Sequence, residues 1–254
     1  MKIARFSTGA DPRYGILDGD ELVVLRGDPM FSGFDTTEER MPLAGVKLLA
    51  PVIPRSKVIA VGRNYRDHAA ETGSEVPAEP MLFFKPNTSV VGPGDAIVLP
   101  PHSKHVDFEG ELAVVIGSVA RNVPEADAAS VIFGYTIGND VSARDLQKKD
   151  GQWGRAKGFD TFCPLGPVIQ TEFDLSTETI ESRLNGDVRQ SAPFTDLVHS
   201  VASLVAFASS VFTLLPGDVI LTGTPAGVGQ LADGDTIEIT VPGIGTLRNP
   251  VRAG

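Results

Sequence analysis

Short apolar runs, each bounded by Gly, Pro or Asp, recur along nearly the whole chain, the pattern of strands joined by turns. "KIARF" opens it, and "YGIL" and "ELVVL" flank Asp18-Gly19-Asp20, a hairpin signal. A polar loop is expected over 26–41, and Pro51 and Pro54 mark a join, so a small N-terminal unit over 1–50 precedes a larger one over 51–254. A Gly-Asp pair feeds an apolar run four times, in "GDELVV", "GDAIVL", "GDVILT" and "GDTIEI". Turn chemistry explains these pairs better than ligand binding, because Gly and Asp are both turn formers.

Helical spacing is confined to a few places. In "DLVHSVASLVAFASSVFTLLPGD", Leu197, Val201, Leu204, Val205, Ala208, Val211, Phe212 and Leu215 recur on one face, and Pro216-Gly217 ends the run. Four serines interrupt it, which makes it a packing helix. Shorter helices are expected over 124–132 and around "DHAAE" (67–71).

One strand pattern is anomalous. "HVDFEGELAVVIG" (105–117) ends as a buried strand but begins with Asp107, Glu109 and Glu111, spaced two apart and so on one face of an extended chain. Carboxylates on a strand entering the core need a cation, a basic side chain or water. In "GYTIGNDVSARDLQ" a further strand-like run ends at Asp140, which either caps the next segment or completes an oxygen-only site with Glu109 and Glu111. Such a donor set, without imidazole or thiolate, favours a hard cation, Mg²⁺ first, with Mn²⁺ or Ca²⁺ as the other candidates.

Composition narrows the classes. The 254 residues carry 32 Asp and Glu against 22 Lys and Arg, a formal charge of −10 that disfavours nucleic-acid binding. The single Cys163 excludes an intrachain disulfide, and no apolar run is long enough for a membrane helix, so a cytoplasmic protein is expected. An anionic substrate would then need local positive charge.

Several groups could supply chemistry. Lys157 lies in the otherwise apolar and Gly-rich "RAKGFDTFCPLGP", an unusual setting for a solvated lysine. His68 and Glu71, three apart, share a helix face and could form a proton-transfer pair, although surface His/Glu pairs are common. His102 and His105 offer a weaker zinc pattern, and "GTPAGVG" (223–229) resembles a phosphate loop only in its glycines. No Gly-x-Ser-x-Gly elbow is present.

Taken together, "VGRNYRDHAAE", "FFKP", "VDFEGELAVVIG", "GYTIGNDVSARDLQ", "RAKGFDTFCPLGP" and "LLPGDVILTGTPAGVG" resemble the fumarylacetoacetate hydrolase superfamily, in its order, over about residues 48–252. The resemblance implies a mostly β fold with some helix, a mixed β-sandwich roll carrying a small N-terminal α+β domain, assembled as a homodimer. It implies Glu109, Glu111 and Asp140 as ligands of Mg²⁺ or Mn²⁺, and His68, Glu71 and Lys157 as catalytic groups. Arg63, Lys85, Arg144, Gln147 and Thr224 are expected at the substrate. The implied reaction is C–C hydrolysis of an acylpyruvate-type 2-oxo acid. Oxaloacetate decarboxylation, isomerisation of a hydroxyheptadienedioate and plain organic-acid binding are the alternatives.

Overall fold

A computed structural model describes residues 1–71 and 73–254. Among these residues the strands form three sheets, which makes the fold mostly β, as expected. The largest sheet runs, strand by strand, Thr36–Pro42, Glu21–Leu25, Arg13–Asp18, Lys2–Ser7, Cys163–Gln170, Ile132–Asn139, Gly110–Ile116, Val219–Leu221, Val58–Gly62 and Met81–Lys85. Neighbours are antiparallel except Val219–Leu221 and Val58–Gly62, which run parallel. Lys2–Ser7 pairs with Cys163–Gln170, so the N-terminal strands extend the same sheet that carries the rest of the chain.

The centre of this sheet is buried on both faces, which is why its strands read as continuous apolar runs. Leu112, Val114, Ile116, Ile59 and Ile220 enter one core, together with Leu204, Val205 and Ala208 of the helix Val201–Val211. Their neighbours Ala113, Val115, Val58, Ala60, Val219 and Leu221 enter a second core with Leu165 and Ile169. Each fully buried Leu, Ile or Val contributes about 1.5–3 kcal/mol relative to exposure.

The Gly-Asp pairs are turns. Gly19, Gly94, Gly217 and Gly234 all have positive φ, which a side chain would strain. Asp95, Asp218 and Asp235 each accept, through Oδ2, the N–H three residues upstream, from Gly92 (2.9 Å), Leu215 (2.8 Å) and Ala232 (2.7 Å).

Four expectations need correction. The segment 26–41 is not all loop: it holds a short helix, Pro29–Ser32, and the start of the strand Thr36–Pro42, whose mostly exposed residues leave no apolar alternation to read. The long amphipathic run is helical only over Val201–Val211, since the chain turns at Phe212 and Leu214 bridges to Ala120. The run 124–132 forms a 3₁₀ segment, Glu125–Val131. Finally, "HVDFEGELAVVIG" is two strands: Val106–Phe108 belongs to a three-stranded sheet, Gly110–Ile116 to the large one, and Glu109 stands at the crossing.

Candidate active site

The crossing at Glu109 brings the acids together. Backbone bonds tie it to the end of the next strand, with the Asp140 N–H donating to the Glu109 carbonyl (2.9 Å) and the Glu109 N–H to Asn139 Oδ1 (2.9 Å). As a result Glu109, Glu111 and Asp140, all buried, each place a carboxylate oxygen within 4.8 Å of the others. This all-oxygen set fits a hard divalent cation. Asp107 points to a different partner: its Oδ2 accepts from Arg144 Nε (2.8 Å).

Two basic side chains reach this group from the lining of the cleft and one from behind it. Lys157 Nζ lies 2.5 Å from Glu109 Oε2 and 2.7 Å from Asp140 Oδ2, over the rings of Phe83 and Trp153. Arg144 Nη2 donates to Glu109 Oε1 (2.5 Å) and its Nη1 to Gln147 Oε1 (3.1 Å). Lys85, expected at the substrate, stands behind the acids instead. Its ammonium donates to Asp140 Oδ1 (2.5 Å) and to the carbonyls of Lys157 (2.5 Å) and Val141 (3.3 Å), which uses its three protons. It braces Asp140 against the turn that carries Lys157.

Four carboxylates thus face three basic side chains, and Glu111 is the one without a cation; its Oε2 accepts from the Gly223 N–H (2.7 Å). Burial, then the charges of Asp140 and Glu109, push the Glu111 carboxyl well above the usual range. For Glu109 burial acts in the same direction, but chiefly the Arg144 and Lys157 charges outweigh it and hold the carboxyl below that range. Burial would lower Lys157, yet Asp140 and Glu109 raise it, so the ammonium persists. A divalent cation at this site would favour the ionised form of Glu111, the one of these four carboxylates that no basic side chain pairs.

His68 and Glu71 lie on the helix Arg66–Glu71 above the acids. His68 Nδ1 is 3.2 Å from Glu71 Oε2, and His68 Nε2 is 4.0 Å from Glu109 Oε1. With Nδ1 donating to the carboxylate, the neutral ring presents Nε2 as the proton acceptor. The loop 223–229 holds carboxylates of the protein itself: the Gly227 N–H reaches Glu71 Oε1 (3.1 Å) and Oε2 (3.3 Å), and the Gly223 N–H reaches Glu111.

His68, Glu109, Glu111, Asp140, Lys157 and Arg144 line one cleft of about 350 Å³ with Arg63, Thr224, Gln147, Phe83, Trp153 and Lys148, while Glu71 stands behind His68 outside the lining. Arg63 adopts a positive φ of 59°. Thr224 spends its hydroxyl proton on the Gly110 carbonyl (2.9 Å), which leaves only acceptor capacity for a ligand. His102 and His105 do not line the cleft; His102 stacks near Phe159, and His105 pairs with Asp107. Burial lifts the Cys163 thiol to about 12, so it is not a nucleophile. Sequence reasoning missed Lys148, Trp153, Phe83 and the role of Asp107. Only Asp107, in step with Glu109 and Glu111, carried a signal.

The comparisons agree with this architecture. Residues 57–252 match the family described as fumarylacetoacetate (FAA) hydrolase C-terminal, and residues 1–51 match Rv2993c-like, N-terminal. A 5-carboxymethyl-2-hydroxymuconate delta-isomerase from Mycobacterium smegmatis is 50% identical, with both chains fully covered and a TM-score of 0.93. The mitochondrial oxaloacetate tautomerase Fahd2a of Rattus norvegicus is 42% identical over 83% of this chain and 71% of its own. A maleylpyruvate hydrolase from Sphingobium sp. SYK-6, in complex with manganese(II) ion and pyruvate, is 35% identical, with both chains fully covered and a TM-score of 0.82. The chain belongs to the fumarylacetoacetate hydrolase family.

Proposed function

We propose that this family member is a divalent-metal-dependent enzyme that moves a proton on small 2-oxo acids, with keto–enol or double-bond isomerisation as its first activity. The observation that carries the reading is His68, oriented by Glu71, with Nε2 4.0 Å from the carboxylate cluster. Glu109, Glu111 and Asp140 would hold Mg²⁺ or Mn²⁺, whose Lewis acidity would polarise the 2-oxo group. The manganese and pyruvate in the Sphingobium hydrolase support a divalent metal and a 2-oxo acid as the site's ligands.

His68 takes the proton next to the oxo carbon at Nε2, and Glu71 stabilises the ring that gains it. The same ring returns the proton to the enolate oxygen or to the far carbon of the double-bond system; enol-to-keto conversion runs these transfers in reverse. The Lys157 ammonium faces the negative charge that develops on the oxygen. Arg144 and Gln147 hold the acid end of the substrate. Arg63 and Lys148, which line the cleft without a carboxylate partner among the described residues, draw anions to a chain of net charge −10.

Hydrolytic cleavage of an acylpyruvate, the reaction that the sequence resemblance puts first, is the second reading. There His68 would take its proton from water attacking the distal carbonyl. The 50% and 42% identities to an isomerase and a tautomerase, against 38% to a fumarylacetoacetate hydrolase from Exiguobacterium antarcticum and 35% to the Sphingobium hydrolase, lean toward isomerisation over hydrolysis. A panel of enol-oxaloacetate, keto-oxaloacetate, acetylpyruvate and a hydroxyheptadienedioate, assayed with Mg²⁺ and Mn²⁺, decides it. Faster loss of enol-oxaloacetate than of acetylpyruvate is expected; binding without turnover of any member would leave an organic-acid binding protein. Homodimeric assembly belongs to the same proposal and is checked by light scattering against the 26.8 kDa chain mass.

A further inference from the structure

Between Phe108 and Gly110 the chain leaves one sheet for another, and two buried amides secure the passage. Asn139 takes the Glu109 N–H, and Gln190 Oε1 takes the Gly110 N–H (3.0 Å). Gln190 is 1% exposed and engages both ends of its amide. Its Oε1 also accepts from the Ser182 hydroxyl (2.8 Å), and its Nε2 donates to Thr224 Oγ1 (2.6 Å) and the Pro225 carbonyl (2.8 Å). An amide has two donors and two acceptor positions, and all four are used. Thr224 closes the ring on the Gly110 carbonyl. Two residues beyond Pro225, the Gly227 N–H holds Glu71. There is little room to slide: a Cβ on Gly110 would meet Ser182 Oγ, and one on Gly227 would meet the Arg189 carbonyl.

We infer that Gln190 is a positioning residue that sets two parts of the site at once. Through Gly110 it fixes the spacing of Glu109 and Glu111, and through Thr224 and Pro225 it fixes the loop that orients Glu71 and so His68. This rests on the reading of the site as a metal-dependent proton-transfer centre. It assigns a task to the hairpin of Thr179–Leu184 and Asp187–Pro193, which contributes no residue to the cleft lining.

The test is Gln190→Met, of similar length and without hydrogen bonds. Mn²⁺ affinity, read by calorimetry on the substrate-free chain, is expected to fall on the order of ten- to a hundredfold, as for outer partners of metal ligands. In the panel assay kcat is expected to fall more than KM rises. The double variant with Glu71→Gln should lose less than the product of the two single losses, because both act on the same loop. Unchanged Mn²⁺ affinity in a variant that still melts cooperatively overturns the assignment. If Gln190→Met does not fold, Thr224→Val, which cuts the same ring, is expected to weaken Mn²⁺ binding, and wild-type affinity there overturns it equally. The calorimetry needs no turnover, so a wrong substrate class fails the panel and leaves this result standing. An unmodified chain that binds no Mn²⁺ overturns the metal reading and this assignment together.

Discussion

The Gly227 backbone N–H bonds both carboxylate oxygens of Glu71, 156 residues earlier in the chain, and Glu71 in turn meets His68 Nδ1. A loop whose glycines suggest an anion cradle therefore holds a carboxylate of the protein itself.

Replacing His68 with Ala is expected to lower kcat by about 10²- to 10⁴-fold, the usual worth of a positioned general acid–base. Glu71→Gln keeps an acceptor for Gly227 but removes the charge, so its loss should be smaller. Steady-state kinetics on the panel substrates checks both, and a His68→Ala enzyme of wild-type rate would remove the ring from the mechanism.

Glu111 sets a pH dependence. Its carboxyl lies well above the ordinary 4.5 in the folded chain, so its contribution to stability is complete below that value and is lost as pH rises through the raised one. Glu109 is shifted the other way, and its contribution is complete above the ordinary value, so it adds no slope in the neutral range. In chelator, the Tm gained by Glu111→Gln over the wild type should therefore be larger near pH 8 than near pH 5.5. The same variant should lose most of the Tm rise that Mn²⁺ gives the wild type. An equal gain at both pH values would show that Glu111 is not the uncompensated charge.

Lys85 braces Asp140 from outside the cleft lining. Lys85→Met should destabilise the fold by about 3–5 kcal/mol, because it strips a buried carboxylate of one partner. Denaturant unfolding measures this, and a change under about 1 kcal/mol would contradict the bracing role.

Trp153 is the single tryptophan of the chain and lines the cleft. Titration with oxalate in the presence of Mn²⁺ should change its emission, and Lys157→Met should abolish most of that change. A flat titration with binding seen by calorimetry would place the ligand elsewhere.

Lys148 should matter for substrates with a second carboxylate. Lys148→Ala is expected to raise KM for oxaloacetate by several-fold, on the order of the ~1 kcal/mol of an exposed ion pair, and to leave KM for acetylpyruvate nearly unchanged. Equal effects on both would assign it to general attraction.

Much of the site is legible in the sequence, since its signals are local. The period-two acids at Glu109 and Glu111, the helical His68–Glu71 pair and the Gly-Asp turns each depend on a few neighbouring residues and on backbone geometry alone. The family motifs, read in order, add Asp140 and Lys157.

Tertiary structure decided the rest, because it depends on contacts between distant segments. Only folding splits the acidic strand at Glu109 between two sheets, sends Asp107 to Arg144 and places Lys85 behind Asp140, 55 residues away. Gln190 meets Gly110 across 80 residues, with no pattern in its own segment to announce it. A buried polar atom must find a partner, and a chain of this length offers many; which one it finds is settled by how the sheets pack.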